Sequence, residues 1–134
     1  MNILLDSHLL IWSLNDDPRL SDFARDYIID PINTIYYSLA SIYEIEVKYI
    51  SHPDRIKVSG KELAFFAKKN GFIPLEIKEE HIFLLDTIHR MEGAPIHKDP
   101  FDKLLIAQAK AEGMLFLTHD AMLSYYEENC IVMV

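Results

Sequence analysis

Short apolar runs alternate with stretches of helical periodicity along the whole chain, the pattern of a parallel sheet whose strands are joined by helices. Ile3 to Leu5 reads as a short buried strand, and Ser7 to Leu14 as a helix ending in the turn Asn15-Asp16-Asp17-Pro18. Ser21 opens a second helix to about Ile29, where Asp30-Pro31 stops it. Thr34 to Tyr37 is β-branched and aromatic, hence a strand, and Ser38 is placed to cap a helix reaching about Ile50. After the loop His52-Pro53-Asp54, Ser59 caps a helix from Gly60 to Lys69, which Asn70-Gly71 ends with a residue able to take positive φ. Phe72 to Ile77 reads as a strand near an edge, because Pro74 has no N–H to donate. A helix is expected from Lys78 to Met91, and another from Asp99-Pro100 to near Gly113, with Pro at its first position. Met114 to Thr118 is a strand, Ala121 to Tyr126 a short helix, and Ile131 to Val134 a last strand. The expected architecture is a three-layer α/β/α domain with a mostly parallel central sheet of about five strands.

The 134 residues suit one domain spanning 1–134, and at 50% apolar residues the core needs no disulfide or metal to hold it. The longest apolar runs are a few residues, too short to cross a membrane. The first residues lack a basic segment and meet Asp6, unlike a signal peptide. The lone Cys130 lies in an apolar run and reads as a reduced core residue, so a cytoplasmic location is expected.

A net charge of −8 argues against nonspecific binding to nucleic acid or anionic membrane. The charge is uneven. Residues 48–69 hold six bases and two acids, a net +4, whereas the flanking segments 1–47 and 70–134 are −6 each. Within this basic island Lys48, Lys57, Lys61 and Lys68 are the candidate phosphate contacts; a merely solvated surface would have the same composition.

Ligands of an open parallel sheet bind at the carboxyl ends of its strands. Four acids fall there or at helix starts that can face that edge. Asp6 follows the first strand, Glu44 lies early in the helix after the second, Asp102 opens the helix before the fourth, and Asp120 follows the fourth. Each has a purely structural alternative. Asp6 and Asp120 can cap helices, Ser41 to Glu44 matches a capping box, and Asp102 favours a helix dipole three residues after the natural cap Asp99. Together, four carboxylates on one edge repel unless a cation neutralises them, and oxygen ligands without cysteine suit Mg²⁺ or Mn²⁺. Periodicity alone does not choose between Glu44 and Glu46.

Other chemistries lack their residues. The six histidines show no paired zinc spacing, the four glycines form no phosphate loop, and no serine sits in a nucleophile elbow. His97 and His119 flank the acids but read as ordinary loop histidines. A receiver-like Mg²⁺-binding signalling domain would show paired acids after the first strand and a lysine after the fifth; neither is present. A non-catalytic module whose acids are all caps stays open on the residues alone.

Four segments resemble the PIN-domain nucleases, and within them the VapC-type toxins of bacterial type II toxin–antitoxin pairs. They are Leu4-Leu5-Asp6-Ser7-His8 with Trp12, Ser41 to Lys48, His97 to Ala109 with the run Asp99-Pro100-Phe101-Asp102, and Leu117-Thr118-His119-Asp120. The resemblance spans the chain and selects Glu44 over Glu46. It implies a PIN-like fold and a metal-dependent endoribonuclease in which Asp6, Glu44, Asp102 and Asp120 hold Mg²⁺ or Mn²⁺. It further implies an RNA substrate, single-stranded or structured, a homodimer, and inhibition by a cognate antitoxin.

Overall fold

The computed structural model describes residues 1–134. Five strands, β1 (Asn2–Leu5), β2 (Thr34–Ser38), β3 (Ile73–Leu75), β4 (Leu115–Thr118) and β5 (Ile131–Met133), form one sheet in the order β3-β2-β1-β4-β5. Every pairing is parallel. That order differs from the 2-1-3-4-5 order of receiver domains, so the receiver alternative falls on topology. Pro74 lies in β3, an edge strand, where its missing N–H costs little.

The sheet separates two cores, and the period of two along its strands decides which residue joins which. Ile3 and Leu5 of β1, Ile35 and Tyr37 of β2 and Leu117 of β4 face one side. They pack there on α1 (Ser7–Leu14), α2 (Asp22–Ile29), α3 (Leu39–Ser51) and α4 (Gly60–Lys69). Leu4 and Phe116 face the other side, against Leu105, Ile106 and Ala109 of α6 (Pro100–Glu112). None of the helices is long and apolar enough to cross a membrane.

Helix ends follow the residues expected to make them. Ser21, Ser38, Ser59 and Asp99 accept from backbone N–H groups at the starts of α2, α3, α4 and α6, and Ser59 forms a full capping box with Glu62. Gly71, just past α4, has φ 83°, the left-handed turn that a β-carbon would strain. Because α3 starts at Leu39, Glu44 lies in its second turn, and the Ser41–Glu44 capping box does not form. Gly60 lets α4 approach α3 closely, since a β-carbon there would sit 2.9 Å from the Ile42 carbonyl oxygen.

One expected element is not formed as expected. In place of a helix from Lys78 to Met91 there is a short helix α5 (Glu79–Phe83) and a 3₁₀ turn over Leu85–Thr87. Beyond it the backbone finds partners outside the helix. Met91 N–H donates to the Tyr125 carbonyl, Glu127 N–H donates to that of His89, and Arg90 and Tyr126 form an antiparallel bridge. Burying Ile88 and Tyr126 in the second core rewards this pairing more than about two further helical turns ending at exposed Met91. The segment Ala121–Tyr125 is likewise a 3₁₀ turn.

Candidate metal centre

In the order β3-β2-β1-β4-β5 the chain reverses direction across the sheet between β1 and β4, and the candidate site lies at that switch point. Leu5 pairs with Leu117, and Asp6 N–H donates to the Leu117 carbonyl, so Asp6 and Thr118 emerge at one level. Asp6 caps α1 through Leu9 N–H at 2.8 Å, while the Thr118 hydroxyl donates to its other oxygen. Thr118 also accepts from Asp120 N–H, and Asp120 caps the following turn through Met122 N–H. The capping and site readings of these acids are therefore compatible: Asp120 keeps one oxygen free, and each Asp6 oxygen accepts a single hydrogen bond and keeps a lone pair.

Glu44 is buried on α3. Ser7 Oγ lies 2.9 Å from both Glu44 Oε1 and Ser41 Oγ; its single proton goes to the carboxylate and Ser41 donates to it in turn. Lys48, one turn on, reaches Glu44 Oε2 at 2.7 Å. Glu46, the competing acid, turns away and accepts from Gly60 N–H. From α6, Asp99 binds Phe101 and Asp102 N–H as the N-cap and leaves Asp102 in the first turn. Gln108, also on α6, is anchored by the Ser38 hydroxyl at 2.6 Å, tying α6 to the end of β2.

These elements converge on a cleft of about 50 Å³ lined by Asp6, Ser7, His8, Glu44, Lys48, Asp99, Asp102 and Asp120. Five carboxylates thus face one lysine. The electrostatic cost falls on Asp102, whose carboxyl is pushed up to about 8 by burial and by the charges of Asp99, Asp6, Asp120 and Glu44. Burial also pushes the Asp6 carboxyl above the usual carboxylate range, against the opposing pull of its Leu9 and Thr118 hydrogen bonds. Hydrogen bonds that favour the charged form, in a place where charge is costly, describe a site suited to a positive counter-charge. The donor set is all hard oxygen on rigid elements, which fits a divalent cation of the Mg²⁺ or Mn²⁺ type.

Two side chains beside this cleft, read from sequence as a helix cap and an ordinary loop histidine, belong to its surroundings. Asp99 lines its wall as well as capping α6, and the repeated acid in Asp99-Pro100-Phe101-Asp102 is the signal that could have shown it. His97 lies against Asp102, its Nε2 3.2 Å from Oδ2, with Nδ1 3.0 Å from the Tyr126 hydroxyl. A lone loop histidine carries no spacing that reveals this.

The basic island divides. Lys48 lines the cleft, while Lys57 joins Arg19 and Arg55 on a groove of about 540 Å³ that also includes His8, Trp12 and Phe66. A shallow depression with Asp6, His8, Trp12, Arg19, His119 and Asp120 connects groove to cleft. Lys61 and Lys68 are exposed and do not line that groove.

An all-parallel sheet with a carboxylate cleft at its switch point defines an α/β protein equipped to hold a divalent cation. The chain belongs to the PIN domain family, whose model matches residues 3–129. Among solved structures it is similar to VapBC2 from Rickettsia felis, there bound to a DNA fragment from the promoter. That likeness has TM-score 0.68 and 14% identity, covering 100% of this chain and 98% of that one. A toxin–antitoxin complex from Klebsiella pneumoniae matches with TM-score 0.58 and 18% identity, over 98% and 96% of the two chains. VapBC-1 from nontypeable Haemophilus influenzae matches with TM-score 0.55 and 15% identity, over 90% and 87%. At these identities the likeness shows a shared fold alone. No curated protein matches the chain by sequence.

Proposed function

We propose that this chain is a divalent-metal-dependent endoribonuclease, a single PIN domain acting in the cytoplasm as the toxin of a toxin–antitoxin pair. The observation that carries the reading is the convergence of Asp6, Glu44, Asp102 and Asp120, from four distant segments, on one cleft short of positive charge. Asp6, Glu44, Asp102 and Asp120 would hold Mg²⁺ or Mn²⁺. When bound, such a cation activates water and offsets the charge that builds on the oxygens of a phosphodiester under attack.

The chain's own residues do the rest. Thr118 and Leu9 N–H fix the Asp6 carboxylate, Ser7 and Lys48 fix that of Glu44, and Asp99 sets the start of α6 so that Asp102 faces them. The groove with Arg19, Arg55 and Lys57 runs into the cleft past Trp12 and supplies contacts for an RNA backbone in an otherwise acidic protein. Lys61 and Lys68 would add only long-range attraction.

An exposed apolar stripe on α3, Leu39, Tyr43, Val47 and Ile50, recurs at helical spacing and supports pairing of two copies. Resemblance to solved toxin–antitoxin complexes supports a cognate antitoxin as inhibitor.

The test is cleavage of a mixed RNA substrate by purified protein with Mg²⁺ or Mn²⁺, against the same protein in EDTA. Metal-dependent endonucleolytic products are expected. Cleavage that survives exhaustive chelation would remove the metal mechanism, and no cleavage with either ion would remove the nuclease reading.

A further inference from the structure

We propose that His97 is a metal ligand, giving this centre a nitrogen donor beside its carboxylates and a preference for Mn²⁺ over Mg²⁺. The inference rests on the metal-centre reading above and extends it to a second cation position shared through Asp102. Asp102 and Asp120 line the cleft, but His97 does not; it reaches the Asp102 carboxylate from outside that wall. One ligand atom from each of His97, Asp102 and Asp120 lies within 4.8 Å of the others, close enough to share one ion.

His97 is built into place. Its side chain is 9% exposed, and the Tyr126 hydroxyl lies 3.0 Å from Nδ1. Tyr126 is itself 6% exposed, packed in the second core and covered by the Arg90 guanidinium 5.1 Å from its ring centre. A ligating histidine uses one ring nitrogen on the ion and donates from the other to a fixed outer partner. The tautomer in which Nδ1–H donates to Tyr126 leaves the Nε2 lone pair facing Asp102 Oδ2 at 3.2 Å, the form that a ligand needs. That spacing matches neighbouring ligands on an octahedral ion, which with bonds of about 2.1 Å sit about 3 Å apart.

A second histidine beside acids shows the contrast. His81 accepts Lys78 N–H on Nδ1, so its proton is on Nε2, where it donates to Glu112 at 2.8 Å. That ring has no lone pair left for an ion, although Glu80 and Glu112 are near. Imidazole nitrogen suits first-row transition ions, while Mg²⁺ keeps to oxygen, so the donor at His97 separates two ions that the carboxylates alone treat alike.

The experiment uses the full chain and Mn²⁺ alone, without RNA. Pulsed electron paramagnetic resonance should show directly coordinated ¹⁴N on bound Mn²⁺ in the wild type. His97→Ala should lose that coupling and bind Mn²⁺ roughly tenfold or more weakly, with a smaller change for Mg²⁺. Added imidazole should restore both, which a merely structural role for His97 would not allow. Tyr126→Phe, which keeps the ring and removes only the hydroxyl, should weaken the coupling without unfolding the protein. Mn²⁺ that binds in an Asp102-dependent way without ¹⁴N coupling, or with coupling that persists in His97→Ala, would overturn the assignment and leave the carboxylate site standing. Failure of the wild type to bind Mn²⁺ at all would overturn both.

Discussion

The Thr118 hydroxyl donates to the Asp6 carboxylate across 112 residues of sequence, joining the ends of two neighbouring parallel strands. Asp6 is 4% exposed, so this donor and Leu9 N–H are what orient its carboxylate and favour its charged form against burial. Thr118→Val preserves shape and removes the donor. It should destabilise the protein by about 1–3 kcal/mol, read from urea unfolding, because a buried charge loses a partner. A stability equal to wild type would show that Asp6 is already neutral in the folded chain.

The site acids can be told from mere caps by charge. Asn caps a helix almost as well as Asp. A metal centre loses a full negative charge on the same change. Asp6→Asn, Glu44→Gln and Asp102→Asn should each reduce RNA cleavage by at least about 100-fold, more than loss of an outer partner costs. In metal-free buffer they should melt at or above the wild-type temperature, since each relieves repulsion in the cleft. Normal cleavage by all three would refute the site.

Asp102 gives the metal-free protein a defined pH dependence. Its folded value of about 8 lies above the ordinary 3.8, so the folded state holds the proton more tightly than the unfolded chain. This contribution to stability is fully present below about pH 4 and is lost as pH rises through about 8. The melting advantage of Asp102→Asn over wild type should therefore grow from pH 4 to pH 8 and level off above. Saturating Mn²⁺ should erase it. An advantage that is flat with pH would mean the carboxyl titrates normally.

RNA affinity should follow the groove and not the count of lysines. Arg55→Glu with Lys57→Glu should weaken binding and lower the magnitude of the log–log salt slope by about 0.7 per lost phosphate contact. Lys61→Glu with Lys68→Glu makes the same change in net charge and should leave the slope nearly unchanged. Equal effects from the two pairs would mean the protein is sensed only as a smeared charge.

The close approach of α4 to α3 is set by Gly60, where a β-carbon would meet the Ile42 carbonyl at 2.9 Å. Gly60→Ala should cost about 1–3 kcal/mol by overpacking. Because α3 carries Glu44 and α4 borders the groove, RNA affinity should fall with it. A stability gain, as for Ala in an open helix, would show the helices free to move apart.

Sheet order aside, most of this architecture can be read along the chain, because strand composition, capping serines and Pro-Gly punctuation are local signals. The positions of the four acids were legible for the same reason: each sits a fixed step from a strand end or helix start. What local pattern could not supply was direction. Glu44 and Glu46 share one helix and similar neighbours, and only the packing of α3 turns one to Ser7 and the other to Gly60. The overlong helix over residues 78–91 fails because its alternative partner, the 125–127 backbone, is far away in sequence. His97 is hidden by the same cause, since Tyr126 brings its purpose from that distant strip.

The central position of β1 also governs timing. β1 comes earlier in the chain than β2 and β4, the two strands that flank it, and Asp6 waits for Thr118 and Asp120. Such long-range pairing closes slowly, and no N-terminal portion of the chain can gather the acids alone. A chain not yet extended past Asp120 therefore lacks the cleft. On the proposed activity, the sheet order is a delay: the enzyme becomes able to cut RNA only once β4 has brought Thr118 and Asp120 to Asp6.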